Sequence, residues 1–227
     1  MTEKLPSNYD IYTPEEDLKK LKIEINKGNI IHLPGNPKVG TIIFIKQIHL
    51  TPHVTPENPL YKQILLNQKK IYNSLQEMQP KDIFIEGVTD EYILPNGDSS
   101  PLRKMFDDII RSSDNWREIV LQKGGGAFLY ILENPDVKIH ITESSDIRDE
   151  ISINYPNNVP PEMDEKREQF TIEAVKEFLD RNPGKKAVVV YGFLHNFEDN
   201  IRSLYPSNPP ARAIMNFHTL TLPRKKK

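Results

Sequence analysis

The sequence predicts a single α/β domain with a mainly parallel central sheet and helices on both faces, and three observations carry that prediction. Lys186 to His195, KAVVVYGFLH, places four apolar β-formers in a row before a Gly-x-x-His turn. Such a run suits a strand covered on both faces, and the glycine lets the chain turn sharply at its end. Two earlier stretches share the layout: Thr41 to His49, TIIFIKQIH, ends in histidine, and Asp82 to Gly87, DIFIEG, ends in a carboxylate and a glycine. Between those two lies a stretch of helical periodicity, so strand, helix and strand follow in the order of a parallel βαβ unit. Three strand ends, each carrying a metal ligand or proton carrier, point to one shared site where open α/β sheets place their chemistry.

The composition bounds the rest. A chain of 227 residues is long enough for one substantial core, and we read residues 1–227 as one domain with a flexible N-terminus over 1–12 and a basic tail over 223–227. A net charge of -2 and a pI near 6.3 give no electrostatic case for nucleic acid. The absence of cysteine excludes disulfides, thiolate metal sites and a cysteine nucleophile. The first ten residues, MTEKLPSNYD, hold no apolar segment, and no stretch approaches the roughly 20 apolar residues that span a bilayer, so a cytoplasmic protein without membrane contact is expected.

In chain order, Thr13-Pro14-Glu15-Glu16 combines a capping box with proline at the first helical position, which predicts a helix running to Gly28. Asn29 to Leu33 and Thr41 to Ile48 read as two strands around the turn PGNPKVG. Three prolines within Thr51 to Pro59 forbid regular structure there and predict a loop over the strand end. Ile64, Gln68, Ile71, Leu75 and Met78 share one helical stripe between Leu60 and Met78, and a core-facing glutamine needs a hydrogen-bond partner. Asp82 to Glu86 is the next strand. Helices follow over 102–112 and 115–122, then Gly124-Gly125-Gly126 opens a short apolar helix, AFLYILE. Val137 to Thr142 is a strand with Glu143 just beyond it, and Pro161 to Leu179 is the longest helix, stopped by Asn182-Pro183-Gly184. A short helix over 197–204 and an alternating strand, Ala213 to Leu222, placed at an edge, complete the chain.

His49 and His195 are the leading chemical candidates, joined by Glu86 at the end of its apolar strand. Histidine nitrogen and carboxylate oxygen suit zinc or manganese, so His49, Glu86 and His195 form a candidate metal set. Met163, Arg167, Phe170, Ala174 and Phe178 recur at the spacing of one helical face, and an arginine on such a stripe wants a carboxylate or an anionic intermediate. An ion pair with Glu86 or Glu143 is the structural alternative for Arg167. Glu143, His53 and Gln68 are further pocket candidates. His140 is assigned to the polar face of a half-buried strand, and the triple glycine lacks the lysine and hydroxyl residue of a phosphate loop.

These residues together resemble the superfamily that contains the erythromycin esterases, the TraB and TIKI-type metalloproteases and the haem-binding ChaN-like lipoproteins. Gly192-Phe193-Leu194-His195 looks like its second histidine motif, Phe84-Ile85-Glu86-Gly87 its glutamate motif, and Lys166-Arg167-Glu168-Gln169-Phe170 its arginine motif. His49-Leu50-Thr51-Pro52-His53 with Gln68 on the following helix is similar to the ChaN-like stretch, and the likeness spans roughly residues 40–205. One departure stands out: Lys46 replaces the glycine of the first histidine motif, with Gln47 beside it where a glutamate is common. A cation there repels a divalent metal, and it can close the pocket, bind a substrate anion or pair with Glu86.

The resemblance implies a hydrolase of an ester, lactone or amide, whose substrate is a small molecule or a peptide. In one form His49, Glu86 and His195 hold a divalent ion such as Mn, Zn or Co that activates water, and Arg167 steadies the oxyanion. In the other, one histidine acts as general base and Glu86 orients it. A non-catalytic, ligand-binding member is the rival reading. Haem is not expected, because the ChaN-like members are lipoproteins and this chain has no lipobox cysteine. The oligomeric state is left open.

Overall fold

Alternating apolar runs and helical stripes assemble here into a six-stranded mixed sheet of order β1-β6-β2-β5-β3-β4, with helices packed on both faces. The computed structural model describes residues 22–48, 56–93, 99–154, 161–192 and 195–221. The strands are β1 (Lys22–Leu33), β2 (Asn36–Gln47), β3 (Asp82–Ile85), β4 (Lys138–His140), β5 (Lys186–Gly192) and β6 (Pro210–Thr221). The helices are α1 (Pro59–Met78), α2 (Ser100–Lys104), α3 (Asp107–Ser112), α4 (Trp116–Lys123), α5 (Gly125–Glu133), α6 (Ser145–Asn154), α7 (Pro161–Arg181) and α8 (Glu198–Leu204).

The central strands obey their composition. β5 is buried from Ala187 onward because both of its faces are covered. Ile71 and Leu75 of α1 and Tyr130 and Ile131 of α5 pack beside Ile83, Ile85, Val188 and Val190. Ile172, Val175 and Leu179 of α7 and Ile201 of α8 pack beside Phe44, Phe84 and Val189. Each such side chain removed from water contributes roughly 1.5–3 kcal/mol, which is what holds the helices to the sheet. β2, β3, β4 and β5 run parallel, so their carboxyl ends form one rim.

Three expectations are corrected. The helix predicted to run to Gly28 is strand from Lys22 onward, and its first part, 13–21, lies outside the described residues. Lys22 to Ile25 alternates charged and β-branched residues, a period of two that the upstream capping box obscures, and the segment pairs antiparallel with β6. The two strands expected to pair around PGNPKVG do not pair with each other: β6 lies between them, antiparallel to β1 and parallel to β2. The Asn36 N–H donates to Pro209 O at 2.7 Å, so the entry to β6 is bonded to the start of β2. For the same reason β6 is an interior strand rather than an edge, and β1 and β4 end the sheet. Helix α6 answers to no segment read from the sequence, and β4 is only three residues long.

Candidate functional site

Glu86 is the first residue past β3, and its carboxylate is the hub of the rim. Gly192 at the end of β5 donates its N–H to Glu86 Oε2 at 2.6 Å. A side chain at Gly192 would bring a Cβ to 3.1 Å from that oxygen, so glycine is what admits the carboxylate to the backbone. On the other oxygen, Arg167 Nη2 donates to Glu86 Oε1 at 3.0 Å, and His195 Nε2 lies 3.5 Å away.

Arg167 reaches the hub from α7, with only 15% of its side chain exposed. Its Nε approaches Glu143 Oε1 to 2.7 Å as an ion pair without hydrogen-bond alignment, and its Nη1 lies 3.5 Å from Asp164 Oδ1. Both structural partners proposed for Arg167 from the sequence are therefore engaged at once. Burial pushes the Glu143 carboxyl above its ordinary pKa, and the Arg167 charge opposes that rise. The guanidinium also lies over the ring of Tyr191, 5.8 Å from its centroid.

His195 is buried, with both ring nitrogens facing carboxylates. Nδ1 lies 3.0 Å from Glu168 Oε1, which also accepts from the Asn196 N–H at 3.0 Å. Tyr191 meets the imidazole edge-on at 4.6 Å and Phe197 packs beyond it. Burial alone would lower the imidazole pKa; the hydrogen bonds that the ring donates to Glu168 and Glu86 and the charge of Glu86 outweigh it, against repulsion by Arg167, and raise it to about 9. At neutral pH the ring is a cation between two anions.

Lys46, one residue from the end of β2, donates from Nζ to the carbonyl of His195, across the sheet from its own strand. Burial lowers the ammonium pKa, and the Glu168 charge works against that shift. Lys46 is thus tied to the backbone of His195.

A second polar group lies on the α1 side. Asn67 and Gln68, adjacent on α1, hold Ile48 by both backbone groups: Ile48 N–H donates to Asn67 Oδ1 at 3.2 Å, and Gln68 Nε2 donates to Ile48 O at 2.6 Å. Gln68 Oε1 accepts from the Gly126 N–H at 2.8 Å, which supplies the partner its place on the apolar stripe demands. The triple glycine finds its reason here: a Cβ at Gly126 would overlap the carbonyl oxygen of Gln68, and one at Gly125 would lie 2.7 Å from Gln68 Oε1. These glycines let α5 approach α1; they cradle the glutamine amide. The Asn67 amide also reaches His218 Nδ1 at 3.3 Å on β6.

The rim therefore gathers Glu86, Arg167, His195, Glu143 and Lys46, with Gln68 placed behind the end of β2. His49 and His53 lie outside the described residues. His140 is half-buried against Phe84, with Nε2 3.0 Å from Asp82 Oδ1, away from this cluster. Glu168, Asn67 and His218 were not singled out in the sequence. A helical neighbour of Arg167 and a polar position in an alternating strand carry no periodic signal that would mark them. Among the described residues no group of three or more histidine, aspartate or glutamate side chains is arranged to hold a metal ion, and no helix is long and apolar enough to cross a membrane. Comparison with family models, with curated proteins and with solved structures returns no match.

Proposed function

We propose that this rim is the centre of a metal-free hydrolase acting on an ester, lactone or amide. The observation that supports the reading is the meeting of Glu86, Arg167 and His195, delivered by β3, α7 and the turn after β5, within hydrogen-bond or ion-pair reach of one carboxylate oxygen. In this scheme His195 enters the cycle as imidazolium and gives a proton to the departing oxygen or nitrogen as water adds to the carbonyl carbon; the proton shed by that water returns to the ring. Glu168 holds the ring at Nδ1, so the proton that is given is the one on Nε2, 3.5 Å from Glu86 Oε1; Arg167, each of whose nitrogens faces a carboxylate, holds Glu86 rather than the oxyanion.

The described members of the candidate metal set, Glu86 and His195, are already engaged, which supports the metal-free form. The oxygens of Glu86 accept from Gly192 and Arg167, His195 carries a proton, and three cationic side chains would repel the metal. Metal analysis of protein purified without added metal tests this, with no stoichiometric ion expected. An ion that is present in the native protein and lost in His195→Ala overturns the metal-free scheme.

A panel of chromogenic esters, lactones and peptides tests the hydrolysis itself. Turnover that vanishes in both Glu86→Gln and His195→Ala supports it; a silent panel, or turnover that survives both changes, rejects it. The second reading is a ligand-binding protein that keeps the pocket without the reaction, and the tie from Lys46 to the His195 carbonyl is the observation that favours it.

A further inference from the structure

Away from the Glu86 rim, a cavity of about 410 Å³ opens at the other end of the sheet. β2 and β6 run parallel, and Pro34 and Gly35 precede β2 as Pro209 precedes β6, so the cavity they line lies at the amino ends of those strands. Its walls are stiff. Proline fixes the backbone at Pro34, Pro206 and Pro209, and Asn36 ties the two strand entries together, its N–H donating to Pro209 O at 2.7 Å and its Nδ2 to Asn208 Oδ1 at 3.0 Å. A Cβ at Gly35 would lie 2.0 Å from Pro210 O, so the two segments touch with no side chain between them. Tyr205, buried at the end of α8, completes the apolar wall, with the Lys176 ammonium of α7 5.3 Å from its ring centroid.

Two arginines line the same cavity. Arg212 of β6 keeps only 9% of its side chain exposed, and its one partner among the described residues is Glu198 of α8, whose Oε1 lies 3.3 Å from Nε as an ion pair without hydrogen-bond alignment. The guanidinium is a planar fork of five N–H donors, and none of them makes a hydrogen bond among the described residues. Buried donors in folded proteins have acceptors, so such a fork beside a cavity points to a ligand. Arg202 stands at the mouth, its side chain 75% exposed, and its Nη1 lies 3.5 Å from an equally exposed Asp199, a pair that water screens.

We propose that this cavity binds a small organic acid, a monocarboxylate with a flat apolar body. Arg212 takes the carboxylate on its fork, Arg202 adds charge at the mouth, and the prolines and Tyr205 take the body. Glu198 selects the charge. It already balances Arg212, so a dianion such as phosphate meets repulsion that a monoanion, held by directed hydrogen bonds, largely escapes. The site is independent of the hydrolytic reading, and a silent substrate panel leaves it untouched.

The test titrates the full-length protein with sodium 2-naphthoate and follows arginine Nε–H signals and intermolecular NOEs. Saturable one-to-one binding is expected, with NOEs from the naphthalene protons to the Tyr205 ring and to Pro206 or Pro209, and a shift of the Arg212 Nε–H signal. Affinity is expected to fall at least about tenfold for 2-naphthamide, which keeps the body without the charge, and for Arg212→Lys, which keeps the charge without the fork. Arg202→Ala should lose about threefold. No saturable binding, NOEs confined to other residues, or equal affinity for the amide overturns the proposal, as does displacement of naphthoate by inorganic phosphate at comparable concentration. Where Arg212→Lys fails to fold, the native NOEs and the amide comparison decide.

Discussion

The two sides of the rim are built from opposite materials. On the α7 side Glu86, Glu143, Glu168, Arg167 and His195 hold one another as formal charges, whereas on the α1 side Asn67, Gln68 and His218 hold the end of β2 through neutral amides and an uncharged ring. Lys46 stands between them. Charged groups gathered away from water are stable only as a complete set, because each ion removed leaves another uncompensated; neutral hydrogen bonds fail one at a time. The two halves should therefore break differently.

The largest effect is expected from Glu86→Leu. It leaves the Gly192 N–H without its acceptor and removes the anion shared by Arg167 and His195, for a loss of about 4 kcal/mol in urea unfolding. A loss below about 1 kcal/mol would show that the charged half is not an interdependent set.

Next is the response to pH, which separates the halves by direction. His195 has a folded pKa of about 9 against an ordinary value of 6.5, so its contribution is complete below pH 6.5 and disappears as pH rises through 9, on the order of 3 kcal/mol. For His218 the folded pKa is about 4, so its contribution is complete above pH 6.5 and fades as pH falls through 4. Unfolding midpoints measured across pH should lose their alkaline slope in His195→Gln and their acid slope in His218→Gln. Slopes that do not follow this assignment would break the comparison.

On the neutral side, Gln68→Leu should cost about 2 kcal/mol, since it strands Ile48 O and the Gly126 N–H in a buried place. Its effect should be the same at pH 5 and pH 8, which chemical denaturation at both values checks. The smallest change is expected for Arg181→Ala, which removes an exposed i,i+4 pair with Glu177 on α7 and should cost about 0.3 kcal/mol. That variant calibrates what a charge pair is worth outside the cluster.

What the sequence disclosed divides along similar lines. The runs that became β2, β3 and β5 were legible because burial on both faces imposes an unbroken apolar stretch, and Glu86 and Arg167 were legible because a charge that interrupts such a pattern announces itself. Gln68 was found in the same way, and its partners are now identified. The Lys22 to Ile25 strand was hidden, because a strong helix-start signal lies just upstream and four alternating residues cannot outvote it. The interior position of β6 was hidden too. Alternation reports one buried face and says nothing of which strands flank it, so the partner that completes the edge had to be seen. His218 looked like any polar residue in such a strand. Glu168 is placed on His195 by the return of the chain after β5, a long-range fact that adjacent sequence does not encode.

Because β6 is inserted between β1 and β2, those two strands must remain apart until residues 210–221 have been made. The wedge that joins them follows β2 only after β3, β4 and β5 have been made, so a nascent molecule exposes two unsatisfied backbone ladders throughout that interval. Assembly of this sheet is therefore obliged to be late, and any ribosome pause before residue 210 prolongs the interval in which those ladders invite a foreign strand.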